Sequence, residues 1–221
     1  MSERERALLL ALVALTFVTG LVDATSYIGL GHVFTANMTG NIVLLGFAVA
    51  RTHGFSAAPL LASLGGFVLG AALAGRLVLA QLDRAEHRLR AAIALEVAFV
   101  AAAAGAAAGL HPGTADGRRY LVIALLGIAM GLRNAVVRGL QVPDMTTTVL
   151  TMTMTGLAVD SPLGGQPTRH PRRRIASVVA MGLGALVGAL LVRHSLVLPL
   201  AVTAGLSLAI LAGFHAYTGT G

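Results

Sequence analysis

Apolar positions come in long unbroken stretches rather than in the alternation of a soluble fold. Eight stretches fall at about residues 7–30, 36–50, 58–80, 91–110, 120–140, 146–160, 174–192 and 196–217. A helix rises about 1.5 Å per residue and the hydrocarbon of a bilayer is about 30 Å thick, so most of these stretches can cross a membrane. Two cannot. Residues 36–50 and 146–160 would each reach only about 22 Å as helices. Polar and helix-breaking residues lead into both: Thr35, Asn37, Thr39, Gly40 and Asn41 into the first, Pro143, Asp144 and Thr146, Thr147 and Thr148 into the second.

The two short stretches belong to a repeat. Gly20-Leu21-Val22-Asp23-Ala24 reads like Gly131-Leu132-Arg133-Asn134-Ala135, an offset of 131 − 20 = 111. Gly46-Phe47-Ala48-Val49 reads like Gly156-Leu157-Ala158-Val159, an offset of 156 − 46 = 110. Gly66-x-x-x-Gly70 ahead of Arg76 resembles Gly184-x-x-x-Gly188 ahead of Arg193. Three matches in one order indicate a duplication, with repeats of about 1–110 and 111–221 inside a single transmembrane domain covering 1–221.

Two topologies follow. Either all eight stretches span and the halves run parallel, or the short stretches are re-entrant and six spans remain. Three spans per half makes the halves inverted, a common transporter plan. Arginine placement does not separate the two, because each topology puts nine loop arginines inside and four outside. Segment length favours six spans, with residues 36–50 and 146–160 entering from opposite sides.

Composition agrees with the pattern. Only 11% of the 221 residues are charged and 56% are hydrophobic, with a mean hydropathy of +0.82. Soluble domains carry about 25% charged residues. The formal net charge is +7, and all 16 basic residues are arginine. They sit in clusters between apolar stretches (Arg84, Arg88 and Arg90; Arg172 to Arg174), where they set orientation and meet anionic lipid, rather than on a nucleic-acid-binding face. No cysteine is present. The basic start and apolar run to Val22 resemble a signal peptide, but no small-x-small cleavage site follows, so an uncleaved first span is expected.

Candidate chemistry lies in polar residues at membrane depth. Asn37, Thr39 and Asn41 are grouped, and Thr35 precedes them; Thr146, Thr147, Thr148 and Thr151 form the matching group. A half-helix starting near the midplane would turn free N–H groups and a positive dipole end toward a cavity, which favours an anion or a neutral polar solute. The competing reading is that Thr and Ser bond their own backbone at i−4 and Gly serves close packing. Charges in a span usually pair or line a wet path. Asp23 and Arg133 are such charges, Asn134 stands at the repeat counterpart of Asp23, and an Asp23–Arg133 pair is expected. Glu96 is expected to snorkel to the interface. Gly66-x-x-x-Gly70, Gly105-x-x-x-Gly109 and Gly184-x-x-x-Gly188 read as packing faces. The seven histidines lack metal-site spacing, and no nucleophile–base pattern or phosphate loop occurs. No enzymatic activity, cofactor or metal is expected.

The stretch Val22-Asp-Ala-Thr-Ser-Tyr-Ile-Gly-Leu-Gly-His-Val-Phe-Thr-Ala-Asn-Met-Thr-Gly-Asn41 resembles the YoaK family of bacterial inner-membrane proteins, and Gly131 to Arg138 with Thr146 to Thr151 resembles it too. The resemblance covers nearly the whole chain. It implies a multi-pass protein of the bacterial cytoplasmic (inner) membrane with about six spans, and it implies no substrate and no functional residues. The sequence thus predicts an all-α polytopic membrane protein of two pseudo-symmetric repeats that acts as a transporter or channel for a small polar or anionic solute. The alternative is a non-transporting scaffold, assembly or lipid-binding protein. The bilayer and the solute are the expected partners, and assembly into a homo-oligomer is compatible with the sequence.

Overall fold

A computed structural model describes residues 3–111, 117–140, 150–160 and 171–218. Among the described residues there are eight α-helices and no strand. They are α1 (Glu3–Gly29), α2 (Met38–Val49), α3 (Ala57–Ala74, continued by a π turn at Gly75–Leu79), α4 (Ala85–Ala106), α5 (Arg118–Gly139), α6 (Leu150–Val159), α7 (Pro171–Leu191) and α8 (Val197–Thr218). Six are long and apolar enough to span, and α2 and α6 are not. Their 12 and 10 residues give about 18 and 15 Å of helix.

Local chemistry sets several ends. Positive φ at Gly31 (102°) and His32 (56°) closes α1, with the His32 N–H bonded to Tyr27 O at 3.0 Å. Pro171 opens α7, where a missing N–H is harmless. The Ser195 hydroxyl accepts from Leu198 N at the start of α8. The α4 helix begins at Ala85 rather than at the expected 91, because Arg88 turns back to the Leu79 and Leu82 carbonyls at the end of α3.

The packing fixes the direction of each helix. Ala7, Ala11 and Leu15 of α1 share a cluster with Leu89 and Ile93 of α4 and Phe214 of α8. So α1 and α4 start, and α8 ends, on one side. Ala74, Val78, Leu132 and Val136 add the ends of α3 and α5 to that side, and Arg173 of α7 lies 3.7 Å from Glu5 of α1. At the opposite side, Leu60, Val100, Ile123, Val192 and Leu196 meet in one cluster. The spans therefore alternate strictly in the order α1, α3, α4, α5, α7, α8. Eight crossings would put the start of α4 across from the start of α1, which this packing excludes. The α2 segment leaves from and returns to the far side, and α6 leaves from and returns to the near side.

The halves exchange their helices. The strongest packing is α1 against α7 and α5 against α3, with α4–α5 mirrored by α1–α8 and α4 meeting α8 between them. Glycines make the two close crossings. A Cβ at Gly20 would lie 2.1 Å from Met181 O, and one at Gly131 would lie 2.1 Å from Phe67 O. A Cβ at Gly70 would lie 2.1 Å from Ile128 O, and one at Gly184 would lie 2.0 Å from Phe17 O. Gly70 therefore matches Gly184, at 184 − 70 = 114, and not Gly188 as the sequence alignment had it. That alignment slips by one helical turn, because both motifs repeat glycine every four residues. The Gly105-x-x-x-Gly109 expectation also fails. Nothing lies within 4 Å of a Cβ at either glycine, and Gly109 sits beyond the end of α4 with φ of 75°.

Candidate functional site

After α1 the chain doubles back. Residues 30–37 run down beside α1 until the Thr35 and Ala36 N–H groups reach Asp23, whose Oδ1 accepts both, at 3.0 and 2.8 Å. Asp23 lies 29 − 23 = 6 residues from the end of α1, so the loop descends about 9 Å. There α2 begins, with Asn37 as N-cap accepting from Gly40 N at 3.3 Å. Asn41 secures the turn. Its Oδ1 accepts from Phe34 N at 2.9 Å, and its Nδ2 donates to Phe34 O at 2.6 Å and Ser63 Oγ at 3.2 Å. The Ser63 hydroxyl donates to the same Phe34 carbonyl. An irregular backbone at membrane depth is tolerable because its polar groups are met by protein.

The start of α2 opens on a cavity of about 570 Å³, lined by Ala36 to Gly40, Val43, Phe67, Leu150, Thr151 and Met181. Phe67 is 67 − 57 = 10 residues into α3, and Met181 is 181 − 171 = 10 residues into α7. Both mark the middle of their spans. Phe67 and Met181 are also repeat counterparts at 181 − 67 = 114, so the cavity lies where the two halves meet, with the start of α2 and the first described residues of α6 on its wall. A second cavity, of about 370 Å³, adjoins it through Asn37 and Met181 and reaches Asp23, Tyr27 and Phe34. Tyr27 and Phe34 are stacked with centroids 4.8 Å apart. Asp23 is 5% exposed, and its Oδ2 has no hydrogen-bond partner among the described residues.

The expected Asp23–Arg133 pair does not form. Arg133 Nη1 lies 2.9 Å from Glu96 Oε1, with both side chains fully buried. Its Nη2 donates to the Thr19 hydroxyl, and Ser207 donates to Glu96 Oε1 at 3.1 Å. Glu96 therefore does not snorkel; it faces α5 and α8 rather than the interface. Glu96 and Ser207 are counterparts, at 207 − 96 = 111, so the ion pair sits where α4 and α8 cross between the halves.

Of the sequence candidates, Asp23, Asn37, Thr39 and Thr151 line the joined cavities. Thr35 and Asn41 are fully buried behind the wall, the first with its hydroxyl donated to Ser26 at 3.5 Å. Arg133 lines neither cavity, and Asn134 donates to Met130 O one turn back. Thr146, Thr147 and Thr148 lie outside the described residues. Several other threonines follow the competing reading: Thr16, Thr19, Thr25 and Thr203 bond the carbonyl four residues back. Sequence reasoning missed Ser63, Ser207, Tyr27 and Phe34. For Ser207 a signal existed, because it stands one repeat offset from a carboxylate.

Helix directions, two short returning helices and a polar cavity between exchanged halves define a polytopic α-helical membrane protein with internal repeats. The chain belongs to the DUF1275 family, described as proteins of unknown function, whose pattern matches residues 11–213. It is 36% identical over 162 residues to the UPF0700 transmembrane protein YoaK of Bacillus subtilis (strain 168), which covers 70% of this chain and 67% of that protein. No solved structure matches.

Proposed function

We propose that this protein carries a small polar or anionic solute across the bacterial cytoplasmic (inner) membrane, as a transporter or channel and not as an enzyme. The observation that supports this most is the mid-depth cavity of about 570 Å³ flanked by α2 and α6. The α2 start contributes the Met38 and Thr39 N–H groups, which a helix cannot satisfy within itself, and the positive end of its dipole. Spans that alternate in direction, with α2 and α6 returning to opposite sides, are the arrangement in which one half can rock against the other around a fixed site.

The scaffold reading has support of its own, since Asn41, Ser63 and Thr35 are satisfied internally. It predicts a sealed cavity. Single cysteines separate the two readings, because the parent chain has none. Thr39→Cys and Thr151→Cys should react with a membrane-impermeant thiol reagent, while Thr35→Cys should not. Uptake into proteoliposomes from a panel of labelled anions and neutral polar solutes is the direct measurement. Silence at both cysteines together with no uptake would leave the scaffold reading standing.

A further inference from the structure

The two joined cavities differ in charge. The larger one presents the start of α2, a partial positive end. The smaller one presents the carboxylate of Asp23. Its described lining contains no Arg, Lys or His: beside Asp23 lie Tyr27, Phe34, Asn37 and small or apolar residues of α1 and α7. Arg133, the buried cation that could have neutralised Asp23, is bonded to Glu96. Asp23 Oδ1 is held by Thr35 and Ala36, while Oδ2 is left without a partner although the residue is only 5% exposed. A buried carboxylate oxygen with no donor is unfavourable unless an occupant supplies one. Tyr27 stands one turn along the same face of α1 and stacks on Phe34, so aromatic surface flanks the carboxylate. Aromatic faces attract cations. The carboxylate binds the Ala36 N–H, and Ala36 lines the larger cavity, so the two charge preferences are separated by one residue of backbone.

We propose that the solute is a small zwitterion: an ammonium group donates to Asp23 Oδ2 beside Tyr27 and Phe34, and a carboxylate faces the start of α2. This rests on the transport reading and narrows its substrate class. An anion alone would meet Asp23 repulsively, and a cation alone would meet the helix end repulsively. An amphoteric molecule satisfies both.

The test uses the full chain in proteoliposomes and three labelled probe mixtures: the standard α-amino acids, the matching 2-hydroxy acids and the matching primary amines. Amino-acid uptake should exceed that of empty liposomes at least fivefold, and Asp23→Asn should reduce it at least tenfold, with Asp23→Glu retaining part. Hydroxy acids moving as well as amino acids, unaffected by Asp23→Asn, would overturn the zwitterion and keep transport. If no mixture moves, both fall. Should Asp23→Asn fail to fold, as judged by its elution as aggregate, Ala189→Cys on the opposite wall of the smaller cavity reports instead. The amino-acid mixture should slow its labelling about tenfold and the hydroxy acids should not. Equal protection by both, or protection by sodium alone, would overturn the assignment.

Discussion

The short helices α2 and α6 occupy matching places in the two halves, yet they are held in different ways. Asn41 lies 46 − 41 = 5 residues before Gly46, and Thr151 lies 156 − 151 = 5 residues before Gly156, so the two are counterparts. Asn41 is fully buried and bonded to Phe34 and Ser63. Thr151 is exposed to the cavity. The described part of α6 packs on α7 alone and is held near its end by Arg174, whose Nη1 lies 2.8 Å from Asp160 Oδ2. Gly156 makes room for that guanidinium, since a Cβ there would come within 2.7 Å of it. The glycine crossings, by contrast, match within 0.1 Å: 2.1 and 2.1 Å at Gly20 and Gly131, 2.1 and 2.0 Å at Gly70 and Gly184. Backbone packing has kept the symmetry while the polar side chains have abandoned it. Two identical halves would favour inward and outward forms equally. Unequal tethers let one form be preferred.

The widest difference between halves is at the crossing of α4 and α8. Arg133→Met would leave the Glu96 carboxylate buried without its cation and should destabilise the protein by about 3–5 kcal/mol, measured by unfolding in mixed micelles. Adding Glu96→Gln to that variant should recover most of the loss. Failure to recover would mean that the pair does more than balance charge.

Next come the crossings. Gly70→Val and Gly184→Val should each cost about 1–3 kcal/mol or more, since both force a Cβ onto a carbonyl oxygen. Gly46→Ala and Gly182→Ala, with open space at the Cβ, should be close to neutral. A large inequality between the two valine variants would break the matched register.

The tethers themselves give a smaller contrast. Asn41→Leu strands the buried Phe34 N–H and should cost about 1–3 kcal/mol. Asp160→Asn removes a part-exposed ion pair and should cost no more than about 1 kcal/mol. Hydrogen exchange sharpens the same point: amides of 153–159 should exchange faster than those of 41–49, by about tenfold, as expected of the more weakly held element. Equal exchange would mean that α6 gains support from residues outside those described.

Much of this was legible in the sequence because membrane physics is strict about length. Stretches too short to span had to return, and polar residues at 35–41 had to satisfy a backbone that water could not reach. Asp23, Asn37, Thr39 and Thr151 followed from that requirement. Pairing was not legible. Asp23 and Arg133 both read as charges needing partners, and one sequence offers no distance between them. The loop preceding α2 claimed Asp23, while Glu96 on another span claimed Arg133. The Gly66 and Gly184 motifs misled for a related reason, since a four-residue glycine spacing looks the same one turn out of register.

The exchange of helices between halves also governs how the chain can be made. The principal partner of α1 is α7, which begins at residue 171, after 171 − 29 − 1 = 141 intervening residues. At about 5–20 residues per second of synthesis, α1 waits on the order of ten seconds in the bilayer before its partner arrives. During that interval its buried face, with Thr16, Thr19, Asp23 and Ser26, lacks its final contacts. Neither half can complete its own core as it leaves the ribosome. The nascent first half is an unfinished surface that the second half must find, which makes an insertion chaperone, or simple delay, part of the biogenesis of this fold.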